Sequence, residues 1–318
     1  MKNNLLIPTA MFVILFSCEA KKNQPGSSVQ EGFIQVDGGK VWYRIAGADK
    51  KGIPFLVLHG GPGAPHDYLE TLEALADERP VIFYDQLGCG NSEKPSDTTL
   101  WTTVRFVEEL AQVRAALKLD EVHILGQSWG TMLTTEYMLR KKPEGVRSLV
   151  LSGPYLSTPI WVADQQILIS QLPKDVQDTI RKYEANGDYS SSSYQEAMMI
   201  FYGRHLCRLD PWPGCLNRTM EKMGAEVYGY MWGPSEFTMT GSLMTVDLTG
   251  HLGEITVPVL FTCGEYDEAT PATTKYYQSK LPGSEIHIFE GASHSHHLEK
   301  MNEYNQLVRD FLKNVEKK

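Results

Sequence analysis

The sequence predicts an α/β protein: a mostly parallel central sheet with helices on both faces, interrupted once by an inserted helical segment. Three observations carry that expectation. Short, fully apolar runs alternate with stretches of helical periodicity, as buried parallel strands and their crossovers do. Between about residues 155 and 245 the alternation stops, and the chain there is rich in Tyr, Trp, Met and Gln without a buried-strand run. Past that stretch the alternation resumes. The 318 residues, 42% hydrophobic and 22% charged, suffice for a sizeable core.

Taken in order, Met1-Lys2-Asn3-Asn4 precedes an apolar run from Leu5 to Phe16. That run is too short to span a bilayer and suits the core of a signal peptide. It ends in Leu15-Phe16-Ser17-Cys18, which resembles a bacterial lipobox, so residues 1–17 are expected to be a lipoprotein signal peptide and Cys18 the lipidated residue. A plain secretory signal with an incidental cysteine is the alternative. Residues 18–30, with Lys, Asn, Pro, Gly and Ser, read as a flexible tether that carries the membrane attachment. The expected location is therefore an exported, membrane-anchored one, at the periplasm or cell surface.

The first core part is expected over residues 31–154. Phe33–Val36 and Val41–Ile45 flank Asp37-Gly38-Gly39, a hairpin signature. Pro54–Leu58 and Pro80–Tyr84 read as buried strands, with an amphipathic helix over Asp67–Glu78 between them. Leu100–Leu117 has helical spacing, Val122–Leu125 is strand-like, Thr131–Lys142 is helical and Val146–Leu151 is the next strand. Residues 155–245 form the expected helical cap. The second core part, 246–318, holds a strand at Val257–Thr262, a helix near Thr273–Lys280, a strand at Glu285–Phe289 and a closing helix over Tyr304–Val315.

A net charge of -9 with no long basic run argues against nucleic acid as a partner. No cysteine pair has metal-finger spacing, and no cofactor motif is present: His59-Gly60-Gly61-Pro62-Gly63 lacks the glycine spacing and the Lys-Ser/Thr of phosphate loops. Export favours disulfides, and Cys207 and Cys215, flanking a Pro/Gly-containing turn, are candidates for one; Cys89 and Cys263 read as packed residues.

Chemistry gathers at the ends of the predicted strands. Gly126-Gln127-Ser128-Trp129-Gly130 lies between a strand and a helix, the setting of a nucleophile elbow, in which the flanking residues must be small. In the α/β-hydrolase order the acid follows the nucleophile and the histidine comes last. Asp267 follows the Val259–Gly264 strand and turn, and His294 follows the next strand, so Ser128, Asp267 and His294 are assigned as nucleophile, orienting acid and general base. Glu265 and Glu268 compete for the acid position. His296 and His297 compete for the base, with surface loop histidines as the plain reading of both. The N–H groups of Trp129 and Gly61 are the expected oxyanion donors.

Together, the motifs His59–Gly63, Asp85-Gln86-Leu87-Gly88-Cys89-Gly90-Asn91-Ser92, Gly126–Gly130, Gly264–Glu268 and Tyr228–Phe237 resemble those of the proline iminopeptidase family of serine aminopeptidases. Thr131 departs from the glycine that often follows the family's elbow. The resemblance implies an enzyme that takes one residue, often proline, from the free N-terminus of short peptides. It also implies that Glu236 and Glu268 bind the amine, with the Tyr228 hydroxyl near it. Trp212, Tyr230, Trp232 and Phe237 are candidates for a pyrrolidine wall or for cap core. The same triad would equally serve an esterase, lactonase or amino-acid amidase. A non-catalytic binding lipoprotein is a third reading.

Overall fold

The computed structural model describes residues 28–317. Cys18 and the stretch read as a signal peptide lie outside the described residues. An eight-stranded sheet runs in the order β1-β2-β4-β3-β5-β6-β7-β8. Its strands are β1 (Val29–Val36), β2 (Gly39–Ala46), β3 (Phe55–Leu58), β4 (Val81–Tyr84), β5 (Val122–Gln127), β6 (Val146–Ser152), β7 (Val259–Gly264) and β8 (Glu285–Phe289). β1 and β2 are antiparallel, as is the β2–β4 pair, and every other pairing is parallel. β1 already begins at Val29, paired with Ala46, so the last two residues of the expected tether are strand.

The period-2 alternation of strand side chains divides the core into two faces. Leu56, Leu58, Ile82, Tyr84 and Ile124 pack in one cluster with α1 (Thr103–Ala116) and α2 (Trp129–Lys141). Phe55, Val57, Val81, Phe83 and Leu125 pack in the other, under residues His66–Asp77 and the closing helix. The amphipathic helix expected over Asp67–Glu78 is a 3-10 helix over His66–Asp77. It buries Tyr68, Leu69, Leu72 and Leu75, so the apolar spacing reports the packed face without distinguishing the two windings.

Between β6 and β7 the chain inserts α3 (Thr158–Ser170), α4 (Lys174–Asn186), α5 (Ser192–His205), α6 (Gly214–Glu221) and α7 (Ala225–Met231). The two ends of the insertion meet at a neck, where Thr158 N–H donates to Val246 O at 2.8 Å and Leu248 N–H to Leu156 O at 2.9 Å. A separate apolar cluster, including Leu168, Ile180, Tyr194, Phe201 and Phe237, holds α3, α4 and α5 together. After β7 come α8 (Pro271–Ser279), the short α9 (His296–Glu299) and α10 (Met301–Glu316). Thr270 caps α8 by accepting Thr273 N–H at 3.2 Å, and Pro271 supplies the fixed φ of a first helical turn.

Cys207 and Cys215 are free, buried thiols, which corrects the expected disulfide. Cys207 packs as a small hydrophobe with Leu216 in the second core face, and burial pushes its thiol up to about 11. No helix of the described residues is long and apolar enough to cross a membrane.

Candidate active site

The turn from β5 into α2 fixes Ser128. Its backbone has φ 53° and ψ −122°, a conformation a side chain rarely adopts. A Cβ on Gly126 would stand 2.2 Å from Gly130 O, and one on Gly130 would stand 2.4 Å from Leu58 O. Both positions must therefore be glycine, which is the physical content of the Gly-x-Ser-x-Gly spacing. Trp129 opens α2, so no preceding helical turn accepts its N–H.

Asp267 and His294 sit in the loops after β7 and β8. His294 Nδ1–H donates to Asp267 Oδ1 at 2.7 Å. Asp267 also accepts Ala269 N–H at Oδ1 (2.8 Å) and Gly264 N–H at Oδ2 (3.1 Å). Burial disfavours the Asp267 carboxylate, but His294 and His296 outweigh it and hold this group well below the usual range. For His294, burial opposes the charged ring and Asp267 overcomes that, leaving the imidazole above its ordinary value.

His294 and Ser128 face one cavity of about 460 Å³, also lined by Gly61, Tyr228 and Glu236. Among the described residues, however, His294 Nε2 pairs with the Gln127 side-chain amide at 3.0 Å and not with Ser128 Oγ. The donors and acceptors run in one direction. Gly60 N–H donates to Tyr68 Oη at 2.8 Å, Tyr68 O–H to Gln127 Oε1, and the Gln127 amide to Nε2, which fixes the proton of His294 on Nδ1.

Gly61 stands in the loop after β3 at φ 103°, where a Cβ would meet Ala64 N and Gly63 N at 2.6 Å. His59 anchors that loop. It accepts Gln86 N–H at Nε2 (2.8 Å) and donates from Nδ1 to Gly60 O (3.0 Å), while burial pushes it down to about 4 and keeps it neutral. Gln86 in turn accepts Trp129 Nε1–H at 2.9 Å, tying the loop to the start of α2.

Glu268, fully buried, and Glu236, half-buried in the cavity wall, stand beside the same histidine. Glu268 Oε1 lies 3.8 Å from His294 Nε2, and neither Glu268 oxygen has a hydrogen-bond partner among the described residues. Burial pushes Glu268 well above the usual carboxylate range, and the nearby Glu236 and Asp267 add to that. Burial likewise raises Glu236, opposed by the Tyr228 O–H that donates to its Oε1 at 2.8 Å. Two desolvated acids are a site for a cation.

Several expectations fare differently. Glu265 accepts Gly291 N–H at 2.8 Å and braces a turn. His296 and His297 are buried rather than on the surface. His296 meets Ser152 and Thr262 hydroxyls through Nε2 and stands 3.5 Å from Asp267 Oδ2, so it supports the acid. Of the four candidate wall aromatics, none lines the cavity: Trp232 packs against Tyr155 and Trp161, Phe237 against Phe201, and Tyr230 is 45% exposed. Sequence reasoning passed over Gln127 and Gln86, although both lie inside quoted motifs. It also passed over Tyr68 and Gly153. A Cβ on Gly153 would stand 2.6 Å from His294 Cε1, so this glycine leaves the room the imidazole occupies.

Residues 53–301 match the alpha/beta hydrolase fold family model. Over 286 residues the chain is 49% identical to a proline iminopeptidase from Heyndrickxia coagulans, covering 90% of this chain and 99% of that one. A crystal structure of a proline iminopeptidase from Mycobacterium smegmatis superposes with a TM-score of 0.83 at 36% identity, over 90% of this chain and 98% of that one. The crystal structure of VinJ superposes with a TM-score of 0.87 at 35% identity, over 90% and 99% of the two chains.

Proposed function

Because the chain belongs to the proline iminopeptidase family of α/β hydrolases, we propose that it is a prolyl aminopeptidase, a serine hydrolase that releases N-terminal proline from short peptides. The observation that carries the reading is the pair of acids at the cavity that holds Ser128 and His294, Glu236 half-buried in its wall and Glu268 fully buried beside His294. An ester substrate has no group to offset two desolvated carboxyls. A peptide's N-terminal ammonium offsets both.

With the amine held there, the first carbonyl meets Ser128. His294 Nε2 turns from the Gln127 amide to take the Ser128 proton, since catalytic hydrogen bonds tighten as substrate is engaged. Asp267 keeps the proton on Nδ1 and stabilises the imidazolium. The Gly61 and Trp129 N–H groups meet the oxyanion; such a donor is typically worth about 3 kcal/mol in the transition state. His294 returns its proton to the departing nitrogen, leaving a prolyl ester on Ser128. Water, activated by the same histidine, then hydrolyses that ester.

Glu236→Gln tests the amine site. Removing one charged partner is expected to lower kcat/KM on a free prolyl-arylamide by roughly 10- to 100-fold. A simple acyl ester, which lacks the amine, should be cleaved at nearly the original rate. Equal losses on both substrates would remove Glu236 from amine binding.

Export and lipidation at Cys18 belong to the same proposal, supported by the apolar run that stops at that cysteine. In a bacterial host, full-length chain is expected to incorporate labelled palmitate and to enter the membrane fraction. Cys18→Ala should abolish the label.

A further inference from the structure

The cavity is larger than the reaction centre needs. At about 460 Å³ it falls in the size range of pockets that enclose a whole drug-sized ligand, more room than one N-terminal residue takes. Glu236 and His294 are the only acid and imidazole among the described lining residues, and the remaining lining side chains are uncharged.

We propose that Leu206, Leu216, Met220 and Met223 form a second subsite, which receives the side chain of the residue after the scissile bond and selects peptides whose second residue is large and apolar. This rests on the aminopeptidase reading above. Its placement follows from where the leaving group must go. His294 protonates the departing nitrogen, so the second residue passes between His294 and the Gly61 loop. Leu206 is held on the histidine side, because Ser295 N–H donates to Leu206 O at 2.8 Å and His294 N–H to His205 O at 3.0 Å. The other three side chains are held on the loop side. Tyr68 N–H donates to Thr219 Oγ1 at 3.0 Å, which docks α6 with Leu216 and Met220. Gly224 N–H donates to Gly63 O at 2.8 Å, which fixes the adjoining Met223.

A charged second residue would lose its hydration against this wall and gain no partner. A leucine or phenylalanine would bury apolar surface there. The two methionines, unbranched and polarizable, can follow either shape. Met220 is 42% exposed and stands at the rim, where the rest of the peptide leads to solvent.

The test is proline release from the peptide amides Pro-X-Gly-NH2. With X as Leu or Phe, kcat/KM is expected to exceed that for Gly at least tenfold, with Asp lowest. Met220→Glu should raise the ratio of Lys to Leu at this position at least tenfold. Brisk proline release that varies less than twofold across X would overturn the subsite. So would an apolar preference that appears in the first residue instead, read with X-Gly-NH2 amides. Loss of proline release from every peptide, with an acyl ester still cleaved, would overturn the aminopeptidase reading itself and the subsite with it.

Discussion

Ser128→Ala is expected to lower kcat/KM on prolyl substrates by at least about 10⁴-fold, with the fold intact. Loss of the hydroxyl removes the only group in the elbow that can form the acyl intermediate. Ser128→Gly separates chemistry from backbone strain. Alanine at φ 53° keeps the unfavourable conformation, which costs on the order of 1–3 kcal/mol. Glycine relieves it, against an entropic cost of roughly 0.5–1 kcal/mol. Both variants should be equally inactive, and the glycine variant should melt no lower than the alanine variant. Residual turnover above about 1% in either, with no contaminating hydrolase, would move the nucleophile elsewhere.

Asp267→Asn is expected to cost about 10⁴-fold in kcat, through the tautomer of His294. The carboxylate accepts from His294 and Ala269 at Oδ1 and from Gly264 at Oδ2. An amide has one oxygen for these three donors. Turned toward Gly264 N–H, its NH2 group meets a donor; turned the other way, it meets Ala269 N–H and donates to Nδ1, forcing the proton onto Nε2. An Nε2–H imidazole cannot accept the serine proton. The pH profile distinguishes this from simple loss of a base. Asp267 holds the imidazole above its ordinary value near 6.5. The neutral ring is the active form, so wild-type kcat/KM should rise with pH through a limb above that value. Without the carboxylate the ring loses its proton more easily, and the residual activity should rise through a limb at lower pH. A limb that stays in place would show that Asp267 does not face the catalytic imidazole.

Much of the architecture was legible because its causes are local. Runs such as Phe55–Leu58 are apolar on both sides since both faces are covered, and Gly126 and Gly130 are dictated by atoms a few residues away. Alternation also placed the loops after β5, β7 and β8 at one sheet edge, which is enough to bring Ser128, Asp267 and His294 together. The rest depends on distant contacts. His296 is buried because Ser152 and Thr262, on two other strands, satisfy its ring, and no spacing around His296 says so. Gly153 yields to an imidazole 141 positions later, and Gln127 bridges Tyr68 and His294 across the site. The Cys207–Cys215 pairing failed for the related reason that closeness along the chain sets no mutual orientation of two thiols. Aromatic content marked the insertion as packed, but which rings face the cavity was settled by helix packing, and the four named ones face elsewhere.

The central claim is that Glu236 and Glu268 select a free N-terminus at a serine hydrolase site. It is tested most directly by comparing a prolyl-arylamide with its N-acetylated form, using the chain from Gln24 onward. Rapid turnover of the free amine alone, with the acetylated form at least about 100-fold slower, is the predicted result. Equal turnover of the two forms, or turnover of neither beside brisk cleavage of a short acyl ester, would contradict it.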